Sequence, residues 1–351
     1  MENAALILGS LTFSRSGVVL CLAALSGGCA FLGLQRNRRK NLFPAMAVLL
    51  LGVLLSLPLS RLIHWYSNTS QYPSFFAALT DYSTGGFVVL GVYAAFLLSA
   101  LLMYALGAVR KLPTLLDDLS CAGMLAASLG KLACLFSPVC RSKFTLEGEF
   151  FRRLPFMVSS TLSNGTVEWR IATFCLQSIA YFLIFLAAAL LFRGRRGGES
   201  FALTLSLAGA VHVVLDSTRY DAAYLRSNGF VSITQIFCLA ALLAVAVVFS
   251  VRSVKRSGLC GRHFLYWLLW AAFAGVGGYC EYYVQRHGAS FLRTYTLMEL
   301  CFLALFVLNL LLCDFRPKKK TASPAEEPEK RQDETETESA EAPVSPSGEA
   351  E

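Results

Sequence analysis

Apolar runs of about 20 residues recur along this chain, separated by short polar interruptions. Each is long enough to carry a helix across ~30 Å of hydrocarbon. They fall at 14–34, 43–63, 86–107, 116–136, 171–192, 200–216, 230–251, 264–283 and 294–314. The pattern predicts an all-α polytopic membrane bundle of about nine transmembrane helices. After Phe315 it stops. Residues 317–351 hold Lys, Pro, Glu, Ser, Thr and Ala, no aromatic side chain and a single valine. Such a segment buries too little apolar surface to offset its ordering entropy, so a disordered acidic tail is expected there.

Charge in the interruptions sets a topology. Arg36 to Lys40, then Arg110 and Lys111, then Arg193, Arg195 and Arg196, then Arg252, Lys255, Arg256 and Arg262, and finally Lys318 to Lys320 all fall on one side. Short loops rich in Lys and Arg stay cytoplasmic, which predicts an outside amino terminus and a cytoplasmic carboxyl terminus. Arg15, at the very start of the first run, is the sole Lys or Arg on its amino-terminal side, which argues against a cleaved signal peptide. The loop 64–84 carries Trp65, Tyr66, Tyr72, Phe75 and Phe76 without Lys or Arg, as an outer interfacial segment would. Loop 137–170 breaks the rule, because it is predicted outside yet holds Arg141, Lys143, Arg152, Arg153 and Arg170. Anionic headgroups of the outer leaflet, or a lipid headgroup site, would account for it.

Composition agrees with the pattern. The chain of 351 residues is 55% hydrophobic and 15% charged, whereas soluble domains run about 25% charged. The net charge of +8 sums basic turns and an acidic tail. No basic groove with interleaved aromatics points to nucleic acid. Cys21, Cys29, Cys121, Cys175, Cys238, Cys301 and Cys313 lie well within apolar runs, where a thiol behaves as a small hydrophobe. Cys134, Cys140 and Cys280 are the ones expected near the outer face. With no CxxC pair and no His/Glu zinc spacing, neither a metal nor another cofactor nor redox chemistry is expected.

Polar residues inside the apolar runs are the candidate chemistry. Lys131 lies within a membrane helix, where a lysine costs about 2.5–3.5 kcal/mol on insertion scales and therefore faces a cavity or partner. Asp117 and Asp118 are fourteen and thirteen residues away, about 20 Å along the helix, too far to pair with it. A structural role at a helix N-terminus suits them better. His212, Asp216 and Arg219, spaced four and three, share one helix face. That face serves equally as a local salt bridge or as a site that holds phosphate and moves a proton. Ser232, Thr234 and Gln235 enter the next helix, where interhelical hydrogen bonding explains them.

Taken together, these pieces resemble the prolipoprotein diacylglyceryl transferases, seven-helix bacterial inner-membrane enzymes. The likeness runs from about Gly85 to Arg252 and extends loosely to the first two helices. Gly85-Gly86 followed by Gly91 resembles the family's double-glycine helix entry, and Asp118 an aspartate thirteen residues before its signature arginine. The stretch Gly130-Lys-Leu-Ala-Cys-Leu-Phe-Ser-Pro-Val-Cys140 is similar to a divergent form of that signature. Asp216-x-x-Arg219 resembles its Glu-x-x-Arg, and Phe230-Val-Ser-Ile-Thr-Gln235 its Leu-x-Ser-x-x-Gln. Several positions depart: Leu90 replaces a histidine, Lys131 the signature arginine, Cys134 an asparagine and His212 a second arginine.

The resemblance implies a seven-helix core at 1–252, an additional helix hairpin at 253–316 and the tail at 317–351. It implies transfer of diacylglyceryl from phosphatidylglycerol to the cysteine thiol of a lipoprotein-precursor peptide. His212 and Asp216 would be catalytic, while Lys131, Arg219, Gly85, Gly86, Gly91 and Gln235 would hold the phosphate and headgroup. The hairpin's Glu281, Arg286, His287, Arg293 and Glu299 are expected chiefly to pair with one another. Two other readings remain open: a catalytically reduced paralogue that binds phospholipid or a lipoprotein partner without turnover, and a small-molecule permease. Polar residues gathered toward one half of the bilayer, without a pair of broken helices in the two halves of the chain, argue against the permease.

Overall fold

The computed structural model describes residues 4–8, 11–38, 41–81, 88–136, 140–146, 148–161, 165–224, 231–287 and 290–314. Among the described residues nine helices of fourteen residues or more coincide in position with the nine apolar runs. They are α1 (Arg15–Arg38), α2 (Phe43–Ser67), α4 (Val89–Ala105), α5 (Leu112–Lys131), α7 (Thr173–Leu186), α8 (Glu199–Ser217), α9 (Ile233–Ser257), α10 (Gly261–His287) and α11 (Phe291–Asp314). Two one- or two-turn helices, α3 (Phe75–Thr80) and α6 (Glu149–Arg152), lie in the connections. Helix α7 continues into a π-helical turn at Ala187–Leu191. Among the described residues seven of the nine are long and apolar enough to cross a membrane, where nine spans were expected; α4 is apolar but shorter, and α10 is not one of the seven. Large hydrophobics such as Leu50, Leu54, Leu183 and Leu300 stay exposed along them, which suits lipid rather than water. The chain is a multi-pass membrane protein.

The structure departs from purely helical architecture in two places. Strands β1 (Ala4–Leu8) and β2 (Leu11–Ser14) pair antiparallel before α1. Strands β3 (Met157–Thr161) and β4 (Val167–Ile171) pair antiparallel within the loop that joins α5 to α7. The expected tail at 317–351 and the Gly85-Gly86 pair lie outside the described residues.

Without a hydrophobic driving force between helices in lipid, close packing of small residues holds them together. A Cβ on Gly27 of α1 would stand 2.6 Å from Ala126 Cβ of α5, and one on Gly91 of α4 would stand 2.4 Å from Ser60 Cα of α2. Those glycines let α1 meet α5 and α2 meet α4. Helix α8 is the hub: more than half of its central window is buried, against α5, α7, α9 and α11. Helix α11 lies on both α8 and α9, so the hairpin is packed into the bundle, with Met298, Phe302 and Leu305 meeting Ala210, Val213 and Leu242.

Polar ties sit at both ends of the bundle. At one end Asp117 accepts the backbone N–H groups of Gly198 (2.9 Å) and Phe201 (2.7 Å), which are orphan donors at the start of α8. Asp118 accepts from Gln35 (2.8 Å) and pairs with Arg38 (3.1 Å) on α1. The structural role expected of these aspartates is therefore real, but the helix that Asp117 caps is α8 and not its own.

Candidate functional site

The site lies at the opposite end, where α5, α8 and α10 finish and α9 and α11 begin. Its scaffold is the segment after α5. A 3-10 turn at Leu132–Phe136 ends the helix, and residues 140–146 then run back beside the end of α8. Ser142 N–H bonds Ile171 C=O (2.9 Å), Lys143 N–H bonds Thr218 C=O (2.8 Å) and Tyr220 N–H bonds Arg141 C=O (3.2 Å). Phe144 stacks on Phe291 at the start of α11, with ring centres 4.2 Å apart. This extended segment fixes Cys140 beside Arg219. Cys140 sits at φ +58°, a left-handed backbone held by its N–H donating to Asp221 at 3.1 Å.

Lys131 ends α5 almost fully buried. Among the described residues no carboxylate pairs with it; its Nζ donates to the Cys140 sulfur at 4.0 Å. Cys134 also hydrogen-bonds that sulfur. The Cys140 thiol is held down at about 6, first by the Cys134 hydrogen bond and, against the cost of burial, by the cations of Lys131 and Arg219. A thiol of that kind is ionised at neutral pH.

All three nitrogens of Arg219 are engaged, which leaves two of its five N–H groups. Its Nε (3.1 Å) and one terminal nitrogen (2.9 Å) donate to Asp221, and the other terminal nitrogen donates to Asp216 (3.1 Å). Burial opposes its charge, yet Cys140, Asp221 and Asp216 hold it above the ordinary guanidinium value. Burial likewise pushes the Asp221 carboxyl up, but the bonds from Arg219 and from the Cys140 N–H bring it below its usual value.

Asp216, 1% exposed, also accepts from Ser232. Ser232 caps α9 in a capping box with Gln235: the serine hydroxyl accepts the Gln235 N–H (3.1 Å), and Gln235 Oε1 accepts the Ser232 N–H (2.7 Å). The Gln235 amide nitrogen reaches Ser217 and the Val213 carbonyl on α8. Ser217 donates to Glu281 of α10 (2.7 Å), which accepts from Gln285 as well (2.8 Å). Among the described residues Glu281 therefore meets a hydroxyl and an amide rather than the cations of its own hairpin. His212 hydrogen-bonds Tyr181 through Nδ1, and its Nε2 stands 3.9 Å from Asp216. The 3.9 Å gap to Asp216 is too long for a hydrogen bond, and the tautomer decides whether Tyr181 or His212 donates; a proton on Nε2 would let Tyr181 donate to Nδ1.

The structure thus brings Lys131, His212, Asp216, Arg219 and Gln235 into one polar cluster across α5, α7, α8, α9 and α10. Gly91 is elsewhere, pressed on the α2 backbone beside Ser60, and packing accounts for it. Gly85 and Gly86 lie outside the described residues. Sequence reasoning passed over Tyr181, Asp221 and Arg61. Asp221 had a signal, since Arg219-x-Asp221 places a carboxylate two residues past a cation. Arg61, wholly buried near the end of α2, donates to the Asp81 carbonyl. Its membrane depth was a signal as clear as that of Lys131. Among the described residues no group of three or more His, Cys, Asp or Glu could hold a metal. No family model, curated protein or solved structure matches this chain.

Proposed function

We propose that this protein is a diacylglyceryl-transferase-like enzyme of the bacterial cytoplasmic membrane, with its amino terminus outside. It moves diacylglyceryl from phosphatidylglycerol to a lipoprotein-precursor cysteine. The observation that carries the reading is Lys131, a buried ammonium whose partner among the described residues is a thiol sulfur and not a carboxylate. Lys131 has three N–H donors and spends one on the Cys140 sulfur among the described residues, so two are left for a ligand anion, and Arg219 lies on the same site to share it.

In this reading Lys131 and Arg219 take the phosphate. The precursor thiol loses its proton through the Tyr181 hydroxyl to His212 Nδ1, and Asp216 steadies the imidazolium. The thiolate attacks the diacylglyceryl carbon, the carbon–oxygen bond to phosphate breaks, and glycerol phosphate leaves with its charge on the two cations. The variants Lys131→Ala and Arg219→Ala should each cut release of glycerol phosphate from phosphatidylglycerol by about 100-fold or more, the loss seen when one charge-stabilising donor is removed. Unchanged release from both would overturn the assignment.

A second reading has its own observation. The Arg219 guanidinium is already paired with two carboxylates, Asp216 and Asp221, through each of its three nitrogens. A charge already compensated by two carboxylates stabilises a leaving phosphate less, which favours a paralogue that binds the headgroup through the remaining N–H groups without turnover. Phosphatidylglycerol bound to the protein with no glycerol phosphate released would select it.

A further inference from the structure

The turn between α9 and α10, at the other end of the bundle, holds a second cluster of nucleophilic groups. Cys260 precedes the first turn of α10, and its sulfur lies 3.2 Å from His263 Nδ1. The Cys260 backbone N–H donates to the same Nδ1 at 3.3 Å. A nitrogen that accepts an N–H carries no proton itself, so the imidazole proton sits on Nε2. From there it points at Ser253 Oγ, 3.0 Å away on the last turns of α9. The imidazole is thus fixed in the tautomer whose lone pair faces the thiol. Nucleophile, base and orienting group stand within hydrogen-bond reach in that order.

As a reciprocal cap of α10 this arrangement would need no groove, yet it borders one. A groove of about 470 Å³ is lined by Ser250, Val254, Leu259, Cys260, Gly261, His263, Phe264 and Trp267. Its apolar rim is open: Leu259 is 83% exposed and Phe264 76%. In a membrane-spanning chain such residues at the end of two helices meet acyl chains. Ser250, one helical turn before Ser253, is 7% exposed, and its hydroxyl is buried with no hydrogen-bond partner among the described residues. An unsatisfied buried donor facing a groove beside a thiol–imidazole pair is where a carbonyl oxygen would be received. Arg252, Lys255, Arg256 and Arg262 flank the turn and favour an anionic acyl donor.

We propose that Cys260 is an S-acylation site served by His263. A long-chain acyl group, activated as a thioester or as a phospholipid ester, is transferred to it from the bilayer side. His263 Nδ1 takes the thiol proton and the Cys260 sulfur adds to the acyl carbonyl. The Ser250 hydroxyl donates to the oxygen on which charge develops. The donor's carbon–sulfur or carbon–oxygen bond then breaks, and the leaving thiolate or alkoxide takes the proton back from His263. The product is a thioester on Cys260 plus a free thiol or a lysophospholipid. Ser253 is a positioning residue, acting only through the imidazole.

The test uses the full-length protein in nanodiscs, given alkyne-tagged palmitoyl-coenzyme A in one arm and a phospholipid with an alkyne-tagged acyl chain in the other. The expected result is hydroxylamine-labile label on Cys260 from one donor, absent in Cys260→Ser. Labelling should slow about 100-fold in His263→Ala, as loss of a general base does. It should slow in Ser253→Ala and be restored in Ser253→Thr, which a packing role would not produce. Absence of label from both donors on folded wild-type protein would overturn the proposal. So would labelling whose rate is unaffected by His263→Ala, or label spread evenly over the other ten cysteines.

Discussion

Replacing Lys131 by methionine tests the electrostatics of the site in isolation. The side chain stays unbranched, is one atom shorter and loses its charge, so packing at the end of α5 is nearly conserved. A unit charge 4.0 Å from the Cys140 sulfur is worth about 4 kcal/mol at an effective dielectric of 20, or about 3 pK units as an upper bound. The Cys134 hydrogen bond contributes more than Lys131 does, and Arg219 remains, so a rise of about one to two units from the wild-type value of about 6 is the expected outcome. The sign follows from the depressed thiol. The charge-pairing it gives the folded state is complete at pH above the ordinary thiol value and is lost as pH falls through about 6. The assay is the rate of Cys140 alkylation by a small maleimide against pH, read by mass spectrometry on peptides that resolve Cys134 from Cys140. Wild type should alkylate with a midpoint near 6 and Lys131→Met with a midpoint above 7. Superimposable profiles would refute the claim that Lys131 acts on this sulfur.

Three further substitutions probe the framework. Asp216→Ala leaves Arg219 and Ser232 short of an acceptor in a buried position and should cost about 3–5 kcal/mol, read as a fall in thermal unfolding midpoint in detergent. Asp117→Ala frees two backbone donors at the start of α8 and should cost about 1–2 kcal/mol in the same measurement without moving the Cys140 profile. Gly91→Ala places a methyl 2.4 Å from Ser60 Cα, so α4 must move off α2 at a cost of about 1–3 kcal/mol; an unchanged midpoint would mean the helices are not in that contact.

Most of the helical architecture was legible because it depends on one local property, apolar length. The nine runs match α1, α2, α4, α5 and α7 to α11, displaced mainly where charged ends such as Arg36–Arg38 and Arg252–Ser257 continue the helix beyond its apolar stretch. The hairpin of β3 and β4 escaped because each strand is only five residues. The alternation in Val167-Glu168-Trp169-Arg170-Ile171 is visible only at a period of two. In the cluster, the relation among His212, Asp216 and Arg219 could be read from helical spacing. The approach of Cys140 to Lys131 could not. It depends on the chain reversing after Phe136 and pairing beside Thr218, which no local pattern encodes. The same holds for Asp117, whose helix was readable and whose partner, the start of α8, was not. Five intervening residues hid the meeting of Cys134 with Cys140 from a search for CxxC.

The central claim is that the cluster around Lys131 performs lipid transfer, and direct turnover tests it. Membranes bearing this protein, from a host depleted of its own transferase, would receive headgroup-labelled phosphatidylglycerol and a lipoprotein-precursor peptide with its cysteine. The account expects labelled glycerol phosphate and lipidated peptide to appear together in equal amounts. Folded, inserted protein that releases no glycerol phosphate and leaves the peptide unmodified would contradict it.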